Sequence, residues 1–241
     1  MRHELTRRNF LATSAAAGIG LMATDRLNAN PVASRTLKKA LIGAPSEKFL
    51  EQLKANDFDG MESNKWNVTP AEAAKQRATA ESLGLKIHSV MRGWTNFNDS
   101  NQDNVAKDIA SVETSLRAAE AYGADAILLV PCRLRSKVEL PKPEAFDIEL
   151  NKKTGHVVRV VDGDNSRFAP YIRAQNDAID ASRVALEKLI PVAEKTGVVI
   201  ALENVWSNFW VKPNLFAHFT TSFKTPWIQS YYDIGNHVKY A

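Results

Sequence analysis

From Leu37 onward, two hydrophobic periods alternate along the chain. KKALIGAP reads as a strand, and SEKFLEQLKANDF as a helix with Phe49, Leu50 and Leu53 at helical spacing. DGMESNKW is a short strand ending in polar residues. TPAEAAKQRATAESLG is the next helix: Thr69 caps it, Pro70 suits its first turn, Glu72 stands where a capping box needs it and Gly84 ends it. LKIHSVM follows as a strand, NVAKDIASVETSLRAAEAYG as a helix closed by Gly123, and ADAILLVP as a strand. AIDASRVALEKLIPVAEKTG predicts a helix kinked at Pro191 and stopped at Gly197. VVIALENVW reads as a strand buried on both faces, KPNLFAHFTTSF as a helix weakened at Thr220 and Thr221, and WIQSYYDIG as the last strand.

Six strand–helix steps without a hairpin-dominated region argue for an α/β fold, with a parallel sheet and helices outside it. The arrangements on offer are a (β/α)8 TIM barrel and an open doubly wound sheet. The first strand–helix turn lacks the glycine fingerprint of a dinucleotide site. Polar and charged residues gather instead at several strand ends: Glu62, Arg92, Arg133, Glu203 and Asp233. A barrel puts all such ends on one rim, where its chemistry sits, so the barrel is preferred, incomplete at about six βα units. The rhythm breaks between Pro131 and Asn176. There FDIELNKKTGHVVRVV predicts a hairpin with Thr154-Gly155 in its turn. Following the fourth strand, it is expected to overhang the rim, as a lid, a subunit contact or plain decoration.

The 241 residues are 44% hydrophobic and 24% charged, enough for one substantial core. The single cysteine, Cys132, excludes an internal disulfide and Cys₂ or Cys₄ zinc sites. Of the formal charge of +4, the N-terminal arginines carry about half, so the remainder gives no nucleic-acid footprint. Those arginines form their own pattern. TRRNFLA, followed by a short apolar stretch rich in Ala and Gly, resembles a twin-arginine export signal. Residues 1–34 are therefore expected to be a signal and linker, with Ala29 or Ala33 near the cut, and residues 35–241 the barrel domain. This implies the twin-arginine translocase as a transient partner, a periplasmic location and no permanent membrane span. A basic tail is the alternative.

The apolar run Val198–Leu202 ends in Glu203, where a buried charge is costly unless something pairs with it. Asp233 holds the corresponding place on the next strand. Adjacent strands lie about 5 Å apart, so the two carboxylates are placed to share one divalent cation. Pairing with Arg133, Lys212 or a backbone amide is the alternative. Trp66, Trp94 and Trp206, near strand ends, suit stacking on sugar C–H groups or ordinary packing. His88 reads as a hydrogen-bonded structural histidine, and Cys132 as inert.

VVIALENVW, followed some thirty residues later by YYDIGNHV, resembles the sugar phosphate isomerase/epimerase superfamily, the xylose-isomerase-like barrels. The likeness runs from about Lys38 to the C-terminus and includes Gly-Met-Glu at Glu62 and KIHSVM. It implies a divalent metal (Mn²⁺, Mg²⁺, Co²⁺ or Zn²⁺) held by Glu, Asp, His and Glu from strands five to eight, with Glu203 and Asp233 as the first two ligands. It also implies proton transfer through an enediolate, Glu203 being one of the acid–base groups. Substrate contacts are then expected from Glu62, Trp206, Asn236 (where many members carry histidine) and His237. The remaining two ligands and the second proton-transfer group are expected beyond Ala241, in a longer protein; a truncated product that cannot close the barrel is the alternative.

The function expected is that of a metal-dependent isomerase or epimerase of a sugar or sugar-like polyol. A lyase or dehydratase of an oxidised sugar would use the same site. A non-catalytic binding protein is the reading from another class, and a homo-oligomer is left open. Apurinic-endonuclease repair fits poorly, because such enzymes hold three metals with many more histidines than the five here.

Overall fold

A computed structural model describes residues 37–134, 138–205 and 209–240. The arginine pair of the expected export signal lies outside the described residues. The main sheet is built from β1 (Ala40–Gly43), β2 (Gly60–Ser63), β3 (Lys86–Trp94), β4 (Ala126–Val130), β7 (Val199–Glu203) and β8 (Ile228–Tyr231). All pair in parallel, in the order β1-β2-β3-β4-β7-β8. Helices connect them: α1 (Glu47–Ala55), α2 (Pro70–Ser82), α3 (Gln102–Tyr122), α4 (Ala169–Thr196) and α5 (Pro213–Thr221), with α6 (Ile234–Tyr240) after β8.

Local chemistry sets the helix ends. Ser46 and Thr69 hydroxyls accept from the backbone N–H of Phe49 and Glu72, and the side-chain Oδ1 of Asn101 accepts from the backbone N–H of Asp103. Gly123 and Gly197 end α3 and α4 in the left-handed conformation expected of them. The core lies between sheet and helices. Val112, Leu116, Ala119 and Tyr122 give α3 one buried face at helical spacing, and Ile127, Leu129, Ile200 and Leu202 are buried in the neighbouring strands.

The sheet is rolled. In a flat sheet, β2 and β8 would stand four strand spacings apart, about 19 Å. Yet the Tyr231 hydroxyl on β8 donates to Glu62 on β2 at 2.5 Å. Only barrel-like curvature brings those side chains together. The barrel is not closed in this structure. β1 and β8 are the sheet's edges, and Leu41 and Ile42 on β1 stay 46% and 56% exposed.

One expectation needs correction. The helix before β7 begins at Ala169, inside the stretch thought to lack helical periodicity, and runs unbroken through Pro191 to Thr196. Its buried face includes Gln175 and Ser182, so it does not read as apolar. The Gln175 side chain donates to the carbonyl of Phe209, which makes its burial tolerable. The hairpin is present, as β5 (Glu149–Leu150) antiparallel to β6 (Val157–Arg159). It is fastened along α4, where Asn176 exchanges two hydrogen bonds with the Val157 backbone, and the bond from His156 to Asp180 reinforces the contact. Among the described residues, no helix is long and apolar enough to cross a membrane.

Candidate active site

Glu203 is the last residue of β7, whose preceding residues Ile200, Ala201 and Leu202 are buried. The strand pairing sets it opposite Tyr231 on β8. Asp233 follows two residues later, where it caps α6: its Oδ1 accepts from the backbone N–H of Gly235 at 2.6 Å and of Asn236 at 3.1 Å. Asn204 clasps the same residue from the β7 side. The Asp233 N–H donates to Asn204 Oδ1 at 2.6 Å, and Asn204 Nδ2 donates to the Asp233 carbonyl at 2.9 Å. These bonds hold the two strand ends in register.

One amide joins the two acids. Asn236 Nδ2 donates to Asp233 Oδ2 at 2.9 Å and to Glu203 Oε1 at 3.2 Å. For Glu203 that is little compensation beside a second carboxylate. Burial, then the charge of Asp233 and direct contact with it, then the charge of Glu62, push the Glu203 carboxyl up to about 7, with Asn236 pulling the other way.

A second acid stands across the interior. Glu62 on β2 is 2% exposed. Its Oε2 accepts from the Tyr231 hydroxyl at 2.5 Å and from Ser89 Oγ at 2.7 Å. Its Oε1 is buried with no hydrogen-bond partner among the described residues. Ser89 Oγ also lies 2.9 Å from His88 Nδ1, continuing the network along β3. Burial, chiefly, and the acceptor role of Glu62 push the Tyr231 phenol up, while burial pushes the His88 imidazole down.

The structure thus brings Glu203, Asp233 and Asn236 into one cluster and ties Glu62 to it through Tyr231. The His237 ring lies beside Tyr232, at 5.7 Å between centroids. Trp206 lies outside the described residues. The arginines at the other strand ends are occupied elsewhere. Arg92 stacks over Trp66 and bonds Ser111, Asp108 and the Trp94 carbonyl, and Arg133 stacks on Trp94 at 3.6 Å. Among the described residues neither Glu203 nor Asp233 has an ion-pair partner; the backbone-amide alternative is realised at one oxygen of Asp233. Cys132 is buried, its thiol pushed up to about 12 by burial, in keeping with the inert reading.

Sequence reasoning missed Asn204, Ser89 and Tyr231. Asn204 carried a signal, since it directly follows a strand-end acid. Among the described residues, no group of three or more His, Cys, Asp or Glu side chains is arranged to hold a metal ion. The donors present are two carboxylates, the hard oxygen set that Mg²⁺ and Mn²⁺ favour.

The family model for the xylose isomerase-like TIM barrel matches residues 50–241. No curated protein sequence matches the chain. Among solved structures, the 3-keto-D-glucoside 4-epimerase YcjR from E. coli superposes with a TM-score of 0.60 at 15% identity, over 83% of this chain and 69% of that one. A D-psicose 3-epimerase gives 0.59 at 12% identity, over 84% of this chain and 65% of its own. The IolI protein, solved with a bound zinc atom, gives 0.56 at 12% identity, over 80% and 62%. At these identities the likeness is one of fold, and the chain spans about two thirds of each structure's length.

Proposed function

The chain belongs to the xylose isomerase-like TIM barrel family, and from that membership and the paired acids at the rim we propose that it is a sugar isomerase or epimerase. Glu203 is the acid–base group, taking a proton from the carbon beside the substrate carbonyl and returning it through an enediolate. The observation that carries this reading is the Glu203–Asn236–Asp233 cluster, with the Glu203 carboxyl pushed up to about 7. Without a metal, burial and the neighbouring Asp233 set that direction, and it marks Glu203 as the member of the pair that takes up a proton.

The same pair fits a divalent cation. Glu203 has only the Asn236 amide to offset its charge, and a positive charge between the two acids removes the repulsion that burial magnifies. Glu203 and Asp233 would supply two of its oxygen donors. When bound, such an ion polarises the substrate's carbonyl and neighbouring hydroxyl and acidifies the C–H between them. Asn236 orients the two acids. Glu62, through its unsatisfied oxygen, and His237, next to Asn236, contact the sugar; for Trp206 the same role rests on the sequence alone, three residues after Glu203. The sugar epimerases among the structural neighbours support a carbohydrate substrate, and the arginine pair at residues 7–8 supports export to the periplasm through the twin-arginine route.

The test is solvent-deuterium exchange into a panel of ketoses and aldoses, followed by NMR with Mn²⁺ present. Wild-type protein exchanges the proton next to the carbonyl, and Glu203→Gln slows this roughly 10²–10⁴-fold while retaining the wild-type circular dichroism. Equal exchange by both proteins would remove Glu203 from its role.

A further inference from the structure

A second site lies outside the acid cluster. The turn of the β5–β6 hairpin, the middle of α4 and the C-terminal end of α5 enclose a cleft of about 610 Å³. Basic side chains from all three elements line it: Lys152, Lys153 and His156 from the hairpin, Arg183 from α4, and His218 and Lys224 at and after α5. Asp180 is the one acid in its lining among the described residues, and His156 Nε2 lies 2.8 Å from its Oδ1. The lysines and Arg183 thus face the cleft without an ion pair among the described residues. A concentration of like charge this strong costs folding free energy and calls for an anion.

The cleft is built rather than accidental. Arg183 packs against a pair of rings, its guanidinium carbon 5.4 Å from the Phe219 centroid and 4.9 Å from that of Phe223. It donates through Nη2 to Ser222 Oγ at 2.8 Å, leaving the rest of its fork available. The hairpin turn is seated on α5 by Gly155, at φ +76°. A Cβ there would come within 3.0 Å of the His218 ring, so a larger residue would push the turn away. The Thr154 hydroxyl, which accepts from the His156 N–H, lines the same wall with its own proton still to donate, whereas the Thr221 hydroxyl is committed to the Ala217 carbonyl at 2.7 Å.

We propose that this cleft binds a small phosphate-type polyanion, free or carried as an ester. A planar fork, point-charge ammonium groups and one hydroxyl around one space suit a tetrahedral oxyanion with many acceptors better than a flat carboxylate. The site is independent of the sugar chemistry proposed above.

Calorimetry on the full chain at low salt tests this, with inorganic phosphate, pyrophosphate, glucose 6-phosphate and glucose as probes. Pyrophosphate binding at one site, weakened roughly tenfold or more by Lys152→Glu/Lys153→Glu and by Arg183→Gln, is expected for paired charge-assisted contacts. Preference for glucose 6-phosphate over phosphate assigns an ester, and the reverse a free anion. The exposed lysine pair guards against loss of binding through misfolding around Arg183. No binding by any phosphate probe, binding unchanged in both variants, or glucose binding as well as its phosphate would overturn the proposal. Failure of the deuterium-exchange reaction leaves this outcome unaffected.

Discussion

Two corners of the rolled sheet each place a glutamate at a strand end, and they treat it in opposite ways. At the β2–β3 corner Glu62 is almost wholly buried, yet two hydroxyls donate to one of its oxygens. At the β7–β8 corner Glu203 is only half-buried, but it faces a second carboxylate, and the two share one amide. Depth of burial therefore does not mark the reactive acid; the partners do. Glu62 has donors from its own chain on one oxygen, so that corner is held together from within. Glu203 has a competitor beside it, and that corner is relieved only by a proton or a cation.

The sharpest way to break this contrast is to neutralise each corner in turn. Glu203→Gln slows the exchange chemistry but relieves repulsion, so the metal-stripped variant should melt above wild type at pH 8. A lower melting point would mean that the acid pair is not strained. Tyr231→Phe acts in the other direction. It takes a donor from a buried carboxylate and costs about 1–3 kcal/mol of unfolding free energy in urea titrations. No loss would mean that the bond across the barrel interior is not made in solution.

Asp233→Asn separates the two duties of that residue. Asparagine caps helices about as well as aspartate and also lifts the repulsion on Glu203, so metal-free stability should not fall while Mn²⁺ retention on dialysis does. Unchanged metal content would remove Asp233 from the site.

The smallest effect lies in the pH dependence of stability, where the two corners oppose each other. His88 is pushed down in the folded state, so its contribution is present above pH 6.5 and is lost as the pH falls below that value. Glu203 is pushed up to about 7 from 4.5, so between those values the folded state binds the extra proton and gains stability as the pH falls. His88→Asn should remove the first limb and Glu203→Gln the second, in metal-free melting curves from pH 4.5 to 8. A profile unchanged in either variant would contradict the corresponding assignment.

The sequence revealed the alternation of strands and helices and the two rim acids, because both are written locally. An apolar run that stops at a carboxylate, as before Glu203, shows in a single stretch. So do the caps at Ser46 and Thr69 and the stops at Gly123 and Gly197. The early start of α4 was hidden because its core face uses Gln175 and Ser182, whose burial depends on partners distant in sequence. The Tyr231–Glu62 bond was hidden for a stronger reason: it joins residues 169 positions apart and exists only once the sheet has rolled. Asn204 and Asn236 are ordinary loop and helix residues until Asp233 is in place between them.

The most direct measurement is anomalous diffraction from crystals of the protein grown with Mn²⁺. A single strong peak within coordination distance of both the Glu203 and Asp233 carboxylates is the predicted result. A peak away from both, or none at saturating Mn²⁺ in crystals whose Glu203 and Asp233 side chains are well ordered, would contradict it.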